Sequence, residues 1–148
     1  MTSLALRVLE HVHGHLGWLA VAALLHPAIV LRRPRRRAAL SVVLATLTLT
    51  LTAAAGVALY GPYRSLLKQR LFLDAPRVGW LFERKEHLAI GALAFAWVGC
   101  VAHLGAPSFP PGARTNAERV AHGAFLAATA LAATTAVLGV IVAVHSTF

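Results

Sequence analysis

Four long apolar stretches constrain this chain of 148 residues more than any other feature of its sequence. A bilayer core about 30 Å thick is crossed by roughly 20 apolar residues in helical form. The stretches run over about 15–31, 38–60, 87–106 and 120–145. Because only a helix satisfies its own backbone polar groups in lipid, each stretch is predicted to be a transmembrane helix. The predicted fold is all-α, a four-transmembrane-helix antiparallel bundle in which residues 1–148 form a single integral membrane domain.

The composition excludes several other classes of protein. Apolar residues make up 58% of the chain and charged residues only 13%, which is too little charge to cover a soluble globule. The only cysteine is Cys100, which excludes a disulfide scaffold. The net charge of +9 would suit nucleic-acid binding, but the basic residues occur in short clusters between the apolar stretches, as in polytopic membrane proteins. No nucleic-acid partner is therefore expected.

The basic clusters also predict an orientation in the membrane. The loop between the first two spans carries a dense arginine cluster without acidic residues, namely Arg32, Arg33, Arg35, Arg36 and Arg37. Acidic residues dilute the positive charge of the second loop. By the positive-inside rule the first loop is cytoplasmic, and both termini lie outside a bacterial-type inner membrane. The same arginine cluster is a candidate site for anionic lipid.

The two remaining loops differ in their predicted structure. The second loop, over residues 61–86, contains RSLLKQRLFL, in which Leu67 and Leu71 lie one helical turn apart. This amphipathic pattern predicts a short interfacial helical segment. Residues 74–76 (Asp-Ala-Pro) predict a break before a second amphipathic piece, WLFERKEH. The third loop, over residues 105–116, is rich in proline and glycine and is predicted to be non-helical.

The eight histidines are the unusual chemical feature of this chain. Because successive helices alternate in direction, the histidines fall into two layers. The first layer contains His11, His13, His15, His87 and His145, and the second contains His26, His103 and His122. Ionisable side chains within spans normally face the interior of a bundle, so both layers are candidate ligand sites.

The first predicted helix carries histidines of both layers on one face. His15 and His26 are 11 residues apart, which corresponds to about 16 Å along a helix and about 20° around it. Four further residues complete this stripe, namely His11, Trp18, Ala22 and Ile29. We expect the stripe to face the bundle interior, where small Ala22 would let a planar cofactor approach closely.

Two imidazoles at one depth on separate helices can hold a haem iron from both sides. The candidate metal ligands are His15, His26, His87, His103 and His122. One haem b would be held by His15 with His87, and the other by His26 with either His103 or His122. His87 and His103 lie about 160° apart on a straight helix, so both face one interior line only if that helix bends.

The sequence resembles the small four-helix membrane b-type cytochromes, which bind two haems, in its spans and in four of the layered histidines. These are His15, His26, His87 and His103. The resemblance covers the bundle and rests on layout rather than on a distinctive motif. It implies electron transfer across the membrane, with a quinone, another membrane redox subunit or a soluble electron carrier as partner. Arg33 and Arg84 are the candidates to pair with haem propionates.

Other functions remain open from the sequence. The main alternative is a structural or assembly subunit without a cofactor, whose histidines only bridge helices. A transition-metal or proton carrier is the third, because the HVHGH run at residues 11–15 contains imidazoles that zinc or copper would bind. No hydrolytic motif is present, and the five acidic residues all fall near predicted membrane surfaces. No acid/base pair is therefore expected in the core, and the resemblance implies a non-catalytic electron-transfer subunit of an oxidoreductase complex.

Overall fold

The computed structural model describes residues 3–33 and 38–145, and within these residues it is helical without strands. The α-helices are α1 (Ser3–Val30), α2 (Ala39–Leu66), α3 (Lys68–Asp74), α4 (Pro76–Gly105) and α5 (Pro111–His145). Four of them are long and apolar enough to cross a bilayer, so the chain is a multi-pass membrane protein. The predicted fold class is confirmed. Of the arginine cluster, Arg35, Arg36 and Arg37 lie outside the described residues.

The four long helices form a ring. Helix α1 contacts α2 and α5, and α4 contacts the same two helices, so α1 and α4 lie at opposite corners of the bundle. The direction alternates along the chain because the connections between the long helices are short. We call the membrane face where α1 begins and α5 ends the terminal face, and the opposite one the loop face.

The bundle core is built mainly from small residues. Several alanines are fully buried, namely Ala20, Ala92, Ala96, Ala121 and Ala128. In lipid, helices associate through close packing rather than through the hydrophobic effect, and small side chains allow their backbones to approach. Helices α4 and α5 approach closely at Gly99, where an added Cβ would lie 2.8 Å from the Phe125 ring and 3.3 Å from the Ala121 carbonyl oxygen. At this point the backbone of α4 therefore packs directly against the Phe125 side chain of α5.

The second loop folds partly as predicted. The interfacial segment is helix α3, and Ala75 separates it from α4 with φ −145° and ψ 69°. Proline suits the first position of α4 because the N–H that it lacks would have no partner there. The prediction of a separate amphipathic piece at WLFERKEH is wrong, since these residues are continuous with the span in α4. A helix already started at Pro76 meets no breaker before the apolar stretch.

Helix α3 packs against the bundle at its terminal face. Its Leu71 is buried with Tyr63 of α2, Val78 of α4 and Val142 of α5. At its start, the Lys68 ammonium lies 2.6 Å from the Glu83 carboxylate, and hydrogen bonding to Glu83 raises the pKa of Lys68. Both side chains of this ion pair remain partly exposed, and such pairs contribute little to stability, so the apolar contacts hold α3 in place.

The prediction that the third loop is non-helical is wrong for most of its length. A single 3-10 turn spans Ala106–Ser108, and α5 already begins at Pro111. Proline is favourable at the first helical position, because its fixed φ matches the helix. The first turns gain a hydrogen bond from the Thr115 hydroxyl to the Pro111 carbonyl oxygen (3.1 Å) and an ion pair of Arg114 with Glu118 (3.2 Å). Here proline starts a helix rather than ending one.

Candidate functional site

The face of α1 that carries His15 and His26 points away from the bundle. All members of the predicted stripe are exposed, namely His11, His15, Trp18, Ala22, His26 and Ile29. The buried face consists instead of Ala20, Leu24 and Ala28, which are 0%, 0% and 2% exposed. The structure therefore differs from the expectation that the stripe faces inward. The alternative face is more uniformly apolar and packs against α2 and α5, with His13 partly buried at its terminal end.

The imidazoles of His15 and His87 share one local geometry. The Nδ1 atom of His15 lies 2.7 Å from the His11 carbonyl oxygen, and that of His87 lies 2.8 Å from the Glu83 carbonyl oxygen. Because a carbonyl oxygen only accepts, each Nδ1 donates, and the Nε2 lone pair stays free. Metal-binding histidines are commonly oriented in this way. The structure does not bring these two rings together, since both are exposed and lie on helices at opposite corners of the bundle.

The other two predicted ligands, His103 and His122, lie on the tightly packed pair of helices α4 and α5. Both are partly buried, and the Nδ1 atom of each is buried without a hydrogen-bond partner among the described residues. Glu118, one turn before His122, acts electrostatically on His103. The α4–α5 contact therefore gathers two imidazoles and a carboxylate towards the loop face.

The described residues do not enclose a pocket for two haems within the bundle. A haem between α4 and α5 would have to separate backbones that meet at Gly99 against Phe125. Residues 3–33 and 38–145 contain no group of three or more His, Cys, Asp or Glu side chains able to hold a metal ion. The geometry instead offers single imidazoles on the outer surface, such as His15 with its free Nε2. Such an imidazole would supply one axial ligand of an iron, and the second would have to come from another chain.

The predicted propionate partners lie far from each other. Arg33 is exposed just beyond the end of α1 at the loop face, and Arg84 is exposed in the first part of α4 near the terminal face. Because α4 lies at the corner opposite α1, Arg84 does not approach a group bound on the outer face of α1.

An inner polar cluster that the sequence analysis missed lies in the terminal half of the bundle. It consists of Glu10, His13, Thr52, Lys85 and Glu86. His13 Nδ1 donates to the Thr52 carbonyl oxygen (3.0 Å), and the Thr52 hydroxyl donates to the Leu16 carbonyl oxygen (3.1 Å). These two bonds run in opposite directions between α1 and α2 and fix the register of the two helices.

Helix α4 contributes the cation of the inner polar cluster. Lys85 interacts electrostatically with Glu10 and His13 of α1 and with its neighbour Glu86. Its ammonium also lies 4.6 Å from the centroid of the Phe82 ring, in cation–π geometry. A partly buried lysine thus interacts with two carboxylates at longer range, and among the described residues it forms no direct ion pair with either. The predicted depths of Glu10 and Lys85 in the membrane, obtained in the same way as those of the histidines, are the same, and this signal in the sequence could have indicated the cluster.

Substitution of Gly56 with leucine is expected to destabilise the protein by about 2 kcal/mol, because the new side chain displaces a packed ring. A Cβ at Gly56 would lie 3.0 Å from His13 Cε1, and the ring is held by its bond to Thr52. Thermal unfolding in detergent, followed by circular dichroism, measures the loss. Gly61→Leu on the same helix is the matched control, since nothing lies within 4 Å of a Cβ there. Equal stabilities of the two variants would show that His13 is not packed against α2.

Comparison with protein-family models, with curated proteins and with solved structures finds no match to this chain. Function is therefore inferred from the placement of its own side chains. The relevant features are the outward histidine stripe of α1, the His103–His122 pair and the inner polar cluster.

Proposed function

We propose that the protein is a haem-bearing membrane subunit of an electron-transfer complex, and that haem b is ligated on the outer face of α1. The observation that carries this proposal is the outward stripe with His15 and His26, which lie about 16 Å apart in depth. Imidazoles that face hydrocarbon are costly, so this surface suits a metal-bearing partner better than lipid. The second axial ligand of each iron comes from a neighbouring subunit.

The residues of α1 are suited to this role. His15 has its Nδ1 proton engaged by the His11 carbonyl oxygen, which directs a free Nε2 outward. Ala22 lies between the two histidines on the same exposed face, and its small side chain leaves room for a planar group. Arg33, beyond His26 at the loop face, is placed to pair with a propionate. Haem b supplies a reversible one-electron couple when bound.

The wider setting of the protein is part of the same proposal. By the positive-inside rule, the arginine-rich first loop supports a cytoplasmic loop face in a bacterial-type inner membrane, with the terminal face outside. Sites at two depths on α1 would serve electron transfer between the two faces. The partners are other membrane redox subunits, a soluble electron carrier or a quinone. His87, His103 and His122 remain candidate ligands on other surfaces of the bundle.

A cofactor-free structural or assembly subunit is the second candidate, and one observation favours it. The imidazole Nδ1 atoms of His15, His87 and His145 are each satisfied by a carbonyl oxygen one turn earlier in the same helix. Under this alternative the outward stripe of α1 serves only to pack against another membrane protein.

The visible spectrum of the complex, purified from its native membrane in mild detergent, tests the proposal. We expect a Soret band and a reduced α-band, and we expect His15→Ala and His26→Ala each to remove haem from the complex. His145→Ala is the matched control, because His145 is exposed and bonded to its own helix like His15 but lies at the end of α5. Full haem content in both α1 variants would contradict the proposal. A haem-free complex after growth with ample haem would favour the structural alternative.

A further inference from the structure

A groove runs along the outer surface of α4 near the terminal face. Its lining residues are Arg77, Trp80, Leu81 and Arg84. Their spacing of three, four and seven residues places all four side chains on one face of the helix. Arg77 and Arg84 are exposed, and neither forms an ion pair with a described side chain. The groove therefore presents two free guanidinium groups on either side of an apolar floor.

Helix α3 holds the floor of this groove in place. The Phe72 ring meets the Trp80 ring edge-on, with 5.6 Å between their centroids and 79° between their planes. Behind it, Gly79 is so close to Phe72 that an added Cβ would lie 2.9 Å from the ring. Trp80 is thus positioned by the partly buried Phe72 ring although it is 60% exposed. The packing of Phe72 against Gly79 and Trp80 therefore gives the groove a defined shape at the junction of α3 and α4.

The position of the groove along α4 indicates which part of the lipid bilayer it contacts. The uncharged part of α4 begins at Leu88, one turn beyond Arg84, so the groove lies at the level of the lipid headgroups on the terminal face. Tryptophan is enriched at this level of membranes. Guanidinium groups bind phosphate oxygens through paired hydrogen bonds. The two arginines lie about 10 Å apart along the helix, so they can approach one headgroup from two sides.

We propose that this groove binds an anionic phospholipid. Arg77 and Arg84 engage the headgroup phosphate, and Trp80 and Leu81 contact the glycerol and the start of an acyl chain. Two positive charges with no acidic partner select an anionic headgroup over a zwitterionic one. This site lies on α4, at the corner opposite the α1 stripe, and does not depend on haem binding.

Quenching of Trp80 fluorescence by brominated lipid tests this assignment. The chain has three tryptophans, so Trp18→Phe with Trp97→Phe leaves Trp80 as the only one. The protein is reconstituted in phosphatidylcholine vesicles that contain equal fractions of either brominated phosphatidylglycerol or brominated phosphatidylcholine. We expect stronger quenching by the brominated phosphatidylglycerol, with an enrichment of about fivefold for each arginine.

The controls separate the lipid from other sources of phosphate and charge. Arg77→Gln with Arg84→Gln should abolish the preference for phosphatidylglycerol. Arg32→Gln with Arg119→Gln, the same charge change at two exposed positions near the loop face, should retain it. Equal quenching by both lipids, or a preference that survives the double substitution, would overturn the proposal. So would displacement of the lipid by excess inorganic phosphate, which would indicate a site for free phosphate.

Discussion

Substitution of Gly99 with leucine is expected to lower the free energy of unfolding by about 3 kcal/mol, because it overpacks the close contact between α4 and α5. The first side-chain atom alone would lie 2.8 Å from Phe125 and 3.3 Å from the backbone oxygen of Ala121. Phe125 is 0% exposed and has no free space to move into. The helices α4 and α5 would have to separate. Chemical or thermal unfolding in detergent, followed by circular dichroism, measures the effect.

Gly123 provides the control for this experiment. It lies in α5 within the same pair of packed helices, but nothing lies within 4 Å of a Cβ added there. Gly123→Leu is therefore expected to change the stability by no more than about 0.5 kcal/mol. Similar losses in the two variants would mean that α4 and α5 do not meet at Gly99.

Substitution of Lys85 with methionine is expected to cost about 2 kcal/mol, since it removes the cation of the inner polar cluster and leaves two carboxylates behind. Methionine preserves the length and most of the apolar contacts of the lysine side chain. This loss of stability is smaller than the loss expected from breaking a fully buried ion pair, because Glu10, Lys85 and Glu86 are all only partly buried. The midpoint of thermal unfolding at neutral pH reports the loss.

A double-mutant cycle tests whether the loss of stability in Lys85→Met arises from the interaction of Lys85 with Glu10 of α1. If Lys85 and Glu10 interact, Glu10→Gln should recover part of the loss, with a coupling energy of about 1 kcal/mol. Lys68→Met is the control, because the Lys68 side chain is 36% exposed at the terminal face, so water screens its ion pair with Glu83 and the effect should be much smaller. Additive losses at Lys85 and Glu10 would show that the two charges do not interact.

The four spans and the break after Asp74 could be predicted from the sequence because each depends on a local property. The length of each apolar stretch determines its span, and the Asp-Ala-Pro sequence at residues 74–76 ends α3. Pro111 shows the limit of such signals, since proline also favours the first position of a helix. Only the neighbouring residues decide between the two roles, and here they continue as a helix.

The orientation of α1 could not be predicted from its sequence. Both faces of this helix are largely apolar, so the pattern does not show which one is buried. The choice depends on how closely Ala20 and Ala28 let α2 and α5 approach, and this packing is not local in sequence. The inner polar cluster was missed for the same reason, because Glu10 and Lys85 lie far apart in sequence and interact only across the interior of the packed bundle.

Titration of the isolated, monomeric chain with haem in detergent tests most directly whether the histidine stripe of α1 faces outward. We expect the isolated chain to form no saturable complex with two low-spin, bis-histidine haems, and we expect the α-band to appear only in the complex with its neighbouring subunits. Stoichiometric binding of two such haems by the isolated chain, lost in His15→Ala and His26→Ala, would contradict this expectation. It would place the stripe inside the bundle.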